Sequence, residues 1–199
     1  MFPGPKTADR SNSYALVSYI PEPLAGFLDR LRQELVPNCF LRAHITILPP
    51  RPSTTSAEVA WAQLGEAILR FRPFDIELNT VQVFPVSDVI YISIGTGEKQ
   101  IREMHTALNI GGLKYKEPFA FHPHVTLAQE LKSDELDELA HVARRRWEEF
   151  RFDHVFHVDT VTFVQSANRK KWNDLAECKL NHSRDMLPVV PMPDRVVHP

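Results

Sequence analysis

The chain has 199 residues, 43% of them hydrophobic, and a formal net charge of −2. That length builds one domain or two small packed lobes with a proper core, and the near-neutral balance excludes a broad basic face that grips nucleic acid without regard to sequence. A local basic patch holding a small or single-nucleotide ligand stays compatible with it.

Residues 1–13 are rich in Pro, Gly and polar groups, lack an apolar signal core and read as a flexible N-terminus. No stretch is long and apolar enough to span a membrane. Cys39 and Cys178 have no metal-ligand spacing and read as free thiols of a reducing compartment, so a cytoplasmic location is expected.

Residues 14–20 (YALVSYI) predict a strand, and residues 22–35 a helix with Leu24, Phe27, Leu28, Leu31 and Leu35 in one stripe. A strand over about 41–48 follows and ends at Pro49-Pro50. It contains His44-Ile45-Thr46-Ile47. Strand side chains alternate between faces, so His44 and Thr46 share one face and the two isoleucines the other. Thr55 with Glu58 makes a capping box. It opens a helix with Ala60, Leu64, Ala67, Ile68 and Phe71 inward, and Gly65 weakens that helix without breaking it.

Two strands over about 74–84 and 88–95 join through a turn at Pro85 to Asp88, and a helix over 98–109 stops at Gly111-Gly112. The strand over 122–129 carries His124-Val125-Thr126-Leu127, the same unit 80 positions after the first. Residues 133–147 predict a helix, acidic at its start and with Arg144, Arg145 and Arg146 near its end. Strands over 153–165 and 172–180 flank a turn at 166–171, and the Pro-rich tail from residue 181 reads as flexible. Residues 14–180 thus read as a single bilobal domain.

The element order repeats around each His-Thr strand. An α+β fold with two related antiparallel sheets and a site at their junction fits it. A single His-x-Thr arises easily by chance, but two copies in matching contexts are harder to dismiss. Histidine is the side chain that gives and takes protons near neutral pH, so one ring can act as base and the other as acid. Two hydroxyls beside them suit the non-bridging oxygens of a phosphate. Taken singly, each His is an ordinary strand residue and each Thr a simple β-former.

HITILPP at 44–50 and HPHVTLAQ at 122–129 resemble the paired signatures of the two-histidine (2H) phosphoesterase superfamily, which includes the RNA 2′,5′-ligase and 2′,3′-cyclic phosphodiesterase proteins. VFPVSDVIYISIG at 83–95 and VDTVTFVQSANRKKWNDLAECKL at 158–180 are similar to its Phe-Pro turn with the following strand and to its closing hairpin. The resemblance covers about residues 14–180. It implies a bilobal, pseudo-twofold α+β fold with a central cleft. It implies His44 and His124 as the acid–base pair, Thr46 and Thr126 as phosphate ligands, and neither metal nor cofactor.

Around these four, Arg42 shares the face of His44 and is placed for a phosphate or for a rim salt bridge. His122 forms His-x-His with His124. Three histidines without Asp, Glu or Cys at a recognisable spacing argue weakly for zinc, and a place beside the cleft is the better reading. Phe84, Tyr91, Phe119 and Phe121 are candidates for base stacking, with core packing as the alternative. Arg169, Lys170 and Lys171 are either solvated or within reach of a phosphate. His105, His141, His154, His157, His182 and His198 read as ordinary.

The expected activity is metal-independent opening of 2′,3′-cyclic phosphates on RNA ends or small nucleotides. Reversible 2′,5′ ligation of RNA is the alternative within the enzymes. A non-catalytic module that binds a phosphorylated ligand is the alternative outside them, although binding alone does not need two proton-transfer groups. The expected partner is a small nucleotide or an RNA end, taken up by a monomer and not by a membrane protein.

Overall fold

In the computed structural model, residues 13–37, 39–84, 87–168 and 171–181 are described. Eight strands and four helices follow in the order β1 (Ser13–Tyr19), α1 (Leu24–Leu35), β2 (His44–Pro52), α2 (Ala57–Ile68), β3 (Phe74–Phe84), β4 (Val89–Ile94), α3 (Glu98–Leu108), β5 (His124–Ala128), α4 (Leu136–Glu149), β6 (Val155–Val158), β7 (Thr160–Asn168) and β8 (Lys171–Lys179). The strands form two antiparallel sheets of four, ordered β2-β1-β7-β8 and β5-β4-β3-β6. This is the expected α+β architecture.

The two sheets correspond strand for strand. In each, the His-Thr strand is an edge. His44 sits opposite Tyr19 and Thr46 opposite Val17, while His124 sits opposite Ser93 and Thr126 opposite Tyr91. Ile45, Ile47, Val125 and Leu127 are 0–1% exposed. Burying each contributes roughly 1.5–3 kcal/mol, so a one-residue slip, which would drive the imidazoles into the core, is strongly disfavoured. One core runs under both sheets. The helices cross over it: α1 packs on β5 and α3 on β2.

Three expectations need correction, all within a topology in which the first sheet takes β1 and β2 from the beginning of the chain and β7 and β8 from the end. The strand expected over 153–165 divides at Asp159 into β6, paired with β3, and β7, paired with β1. β2 runs on through Pro49 and Pro50 to Pro52, which an edge strand tolerates because one side of its backbone lacks a ladder partner. Ser56, and not Thr55, caps α2, accepting from the Val59 N–H at 3.4 Å.

At the end of α3 the expected stop is displaced too. The cap is Asn109, and Gly111-Gly112 open a short 3₁₀ turn, Gly111 at φ 55°. A Cβ on Gly111 would lie 2.1 Å from the Gln63 side chain. Residues 1–12 and 182–199, the side chains of Arg169, Lys170 and Lys171, and most of the Pro85 turn lie outside the described residues, with His182 and His198 among them. No described helix is long and apolar enough to cross a membrane.

Candidate active site

The edge strands of the two sheets, β2 and β5, contact each other and share a cleft of about 740 Å³. His44 and Thr46 of β2 and His124 and Thr126 of β5 all line it. All four are half-buried, because their alternate neighbours point into the core.

Each imidazole is fixed in the same way. His44 Nδ1 lies 2.6 Å from the Arg42 carbonyl oxygen, and His124 Nδ1 lies 2.7 Å from that of His122. A carbonyl only accepts, so Nδ1 carries the hydrogen in both rings. That leaves Nε2 as the free nitrogen of each, an acceptor when the ring is neutral and a donor when it is charged.

Two aromatic rings hold each histidine laterally. Tyr19 and Trp172 lie 6.5 and 6.0 Å from His44, while Phe84 and Tyr91 lie 5.1 and 5.4 Å from His124, centroid to centroid. Burial lowers both imidazole pKa values. His44 falls to about 4, through burial first and then the charge of Arg32; the bond to the Arg42 carbonyl opposes this, and His124 and Arg42 add smaller lowering effects. His124 is lowered chiefly by burial, with His122 adding to the effect and its backbone bond opposing it.

The surrounding residues divide clearly. Arg42 does not line the cleft. Its guanidinium lies over the Tyr19 ring at 3.6 Å and pairs with Asp174 at 3.3 Å, which is the rim salt bridge. Tyr19 also donates to Asp174, at 2.5 Å. His122 is exposed on the cleft and packs edge-on against Phe84 and Tyr91. Among the described residues no group of three or more His, Cys, Asp or Glu side chains is placed to hold a metal ion.

Of the aromatic candidates, Tyr91 is buried beneath Phe84, stacked at 3.9 Å, and serves packing. Phe84 and Phe121 line the cleft, while Phe119 is 78% exposed at its rim. Phe121 is held by His105, stacked at 3.8 Å. His105 was expected to be ordinary. It instead bonds through Nδ1 to the Ile47 carbonyl at 2.9 Å and faces Glu117 at 3.6 Å. Glu117 is itself paired with the fully buried Arg51.

Arg32, Gln129 and Trp172 also line the cleft, and the sequence reading passed over them. The available signal for Arg32 is its spacing. It follows Leu28 by four residues and so borders the buried stripe of α1.

With this geometry established, similarity to known proteins can be set beside it. Residues 20–170 match the 2′-5′ RNA ligase superfamily. A protein named as a phosphoesterase in Halalkalibacterium halodurans is 23% identical over 177 residues, spanning 84% of this chain and 97% of its own length. Another so named, in Oceanobacillus iheyensis, is 30% identical over 101 residues, 50% of this chain and 56% of its own. In fold, the chain resembles Escherichia coli LigT crystallised with phosphate, with a TM-score of 0.56, 16% identity, and coverage of 85% of this chain and 98% of LigT.

Proposed function

The chain belongs to the 2′-5′ RNA ligase superfamily of 2H phosphoesterases, and on that premise we propose that it opens 2′,3′-cyclic phosphates, on RNA ends or small nucleotides, by two-histidine acid–base catalysis without a metal. One observation carries this reading. Two imidazoles from two different sheets, each with its Nδ1–H tied to a backbone carbonyl, line one cleft, and each has a hydroxyl two residues further on.

The steps follow from the protonation states. His44, neutral above about 4, removes a proton from water at Nε2. The water oxygen bonds to phosphorus as the bond to one ribose oxygen breaks. His124, protonated, gives its Nε2 proton to that departing oxygen, leaving a ribose phosphomonoester and a free hydroxyl. Thr46 and Thr126 donate hydrogen bonds to the non-bridging oxygens, where negative charge builds up. His44 is assigned as base because a permanently charged guanidinium, Arg32, disfavours its protonated form, whereas the charged neighbour of His124 is another titratable ring. The crystallisation of LigT, of like fold, with phosphate supports a phosphoryl ligand.

The test is turnover of a 2′,3′-cyclic mononucleotide by the full chain after extended chelation, followed by phosphorus NMR. Conversion of the cyclic ester to a monoester at an unchanged rate is expected. A folded protein that leaves the ester intact, or activity that zinc or magnesium must restore, contradicts the reading.

A further inference from the structure

The mechanism above uses Arg32 only as a neighbour of His44, yet its surroundings are unusual. Arg32 stands in the last turn of α1, is 4% exposed, and lines the cleft together with His44 and Thr46. Its Nη1 donates to the Arg42 carbonyl at 3.2 Å, the same oxygen that accepts from His44 Nδ1. Its Nε is buried without a hydrogen-bond partner. No described carboxylate pairs with it. Asp29, one turn earlier on α1, instead accepts from the Ala43 N–H at 2.6 Å.

Two other arginines show how this chain treats a guanidinium it needs only for structure. Arg51 is equally buried, but it has Glu117 as counter-ion and bonds to Asn109 and to the carbonyls of Pro49 and Leu113. Arg102, on α3 of the other lobe, likewise donates to a carbonyl just before a His-Thr strand, that of Phe121. It is 43% exposed and paired with Glu98 at 2.6 Å. Of the three, only Arg32 is buried, lines the cleft and has no ion pair; the Asp29 carboxylate acts on it through its field and not through a direct contact. A buried guanidinium with no ion pair and an idle donor is costly, and an anionic oxygen in the cleft would supply the direct partner.

We propose that Arg32 forms an anion subsite at the His44 end of the cleft, its charge and free Nε–H taking a non-bridging oxygen of the substrate phosphate. The identity of that substrate rests on the phosphodiesterase reading, while the subsite itself is testable with inorganic phosphate. The subsite makes the cleft asymmetric. Substrate enters with its negative charge toward His44, and the oxygen that leaves faces His124. Phosphate bound there also offsets the field that Arg32 exerts on the His44 ring, which further feels Arg42 and His124.

The experiment is an NMR titration of the full chain, labelled at arginine and histidine nitrogens, with inorganic phosphate at neutral pH. R32Q and R32K are measured alongside. In the wild type, the Arg32 Nε–H and His44 ring resonances should move along one isotherm. R32Q retains a donor for the Arg42 carbonyl but loses the charge. It should weaken phosphate binding by about ten- to a hundredfold, the usual effect of losing a charge-assisted hydrogen bond. R32K, a cation without the planar fork, should fall between. The KM for a cyclic mononucleotide should follow the same order.

Wild-type protein that binds no phosphate, or an Arg32 Nε–H that stays still while phosphate binds, overturns the subsite. So does R32Q binding phosphate as tightly as wild type. If R32Q does not fold, the wild-type resonance and R32K decide. Phosphate bound at Arg32 in a chain that turns over no cyclic ester supports the subsite and defeats the cyclic-phosphate reading. Turnover with KM unchanged in R32Q does the reverse.

Discussion

Around His44, residues 41–48 have the same pattern of exposed and buried positions as residues 121–128 around His124, position for position. In both, the ring turns its Nδ1–H back to the carbonyl two residues earlier. The agreement ends at the next layer. The His44 ring has Arg32, buried and without an ion pair, in its electrostatic field. The matching helix of the other lobe offers only Arg102, exposed and neutralised by Glu98. Beside His124 stands His122, whose field also acts on that ring. Strand period and register thus duplicate the geometry of an anchored imidazole beside a hydroxyl, and residues outside the duplicated motif make the surroundings of the two rings unequal.

Deleting either ring tests the shared part of this comparison and should give the largest effect. H44A and H124A should each lower kcat/KM on a cyclic mononucleotide by about 10²–10⁴, the range for one general acid or base. The double variant should be little worse than either single, because the two rings act as one unit. Two deficits that multiply in full would mean that the lobes work independently.

The hydroxyls come next. T46V and T126V keep the β-branched shape and remove one donor to the phosphate. Each should cost about tenfold in kcat/KM with the fold intact, and the Thr→Ser variants should retain more. Full activity in both Val variants would reduce the threonines to strand-formers.

The smallest effect is expected at the rim. Arg42 and Asp174 form an exposed pair, with side chains 62% and 41% accessible. Such pairs contribute about 0–1 kcal/mol, so R42M should change kcat/KM by less than about fivefold. A loss as large as that of the threonine variants would return Arg42 to the phosphate.

These expectations also mark what the sequence could disclose. The His-Thr strands are legible because a period of two sorts cleft-lining from core residues within four positions. The core stripe of α1 is legible for the same kind of reason, Leu24, Leu28, Leu31 and Leu35 all being buried. Arg32 is not, because an arginine bordering such a stripe usually reaches solvent, whereas here it is buried and donates to the Arg42 carbonyl ten residues on. The division of residues 153–165 was equally hidden. Val155–Val158 and Thr160–Asn168 both have strand patterns, and their assignment to different sheets depends on partners far away in sequence. The strand continuing through Pro49 and Pro50 shows the same limit, since proline ends a central strand but not an edge one.

The central claim is that one lobe takes the proton and the other gives it, and the pH dependence of kcat/KM tests that division. His44 must be neutral, so activity should rise as pH climbs through about 4. His124 must be protonated, and burial has lowered its pKa from the ordinary value near about 6.5. Activity should therefore fall again on the acid side of that value, giving a bell whose limbs belong to the coupled pair. In the residual activity of the variants, H44A should lose the low-pH limb and H124A the high-pH limb. Loss of the same limb in both, the reverse assignment, or a wild-type optimum well above pH 6.5 would contradict the account.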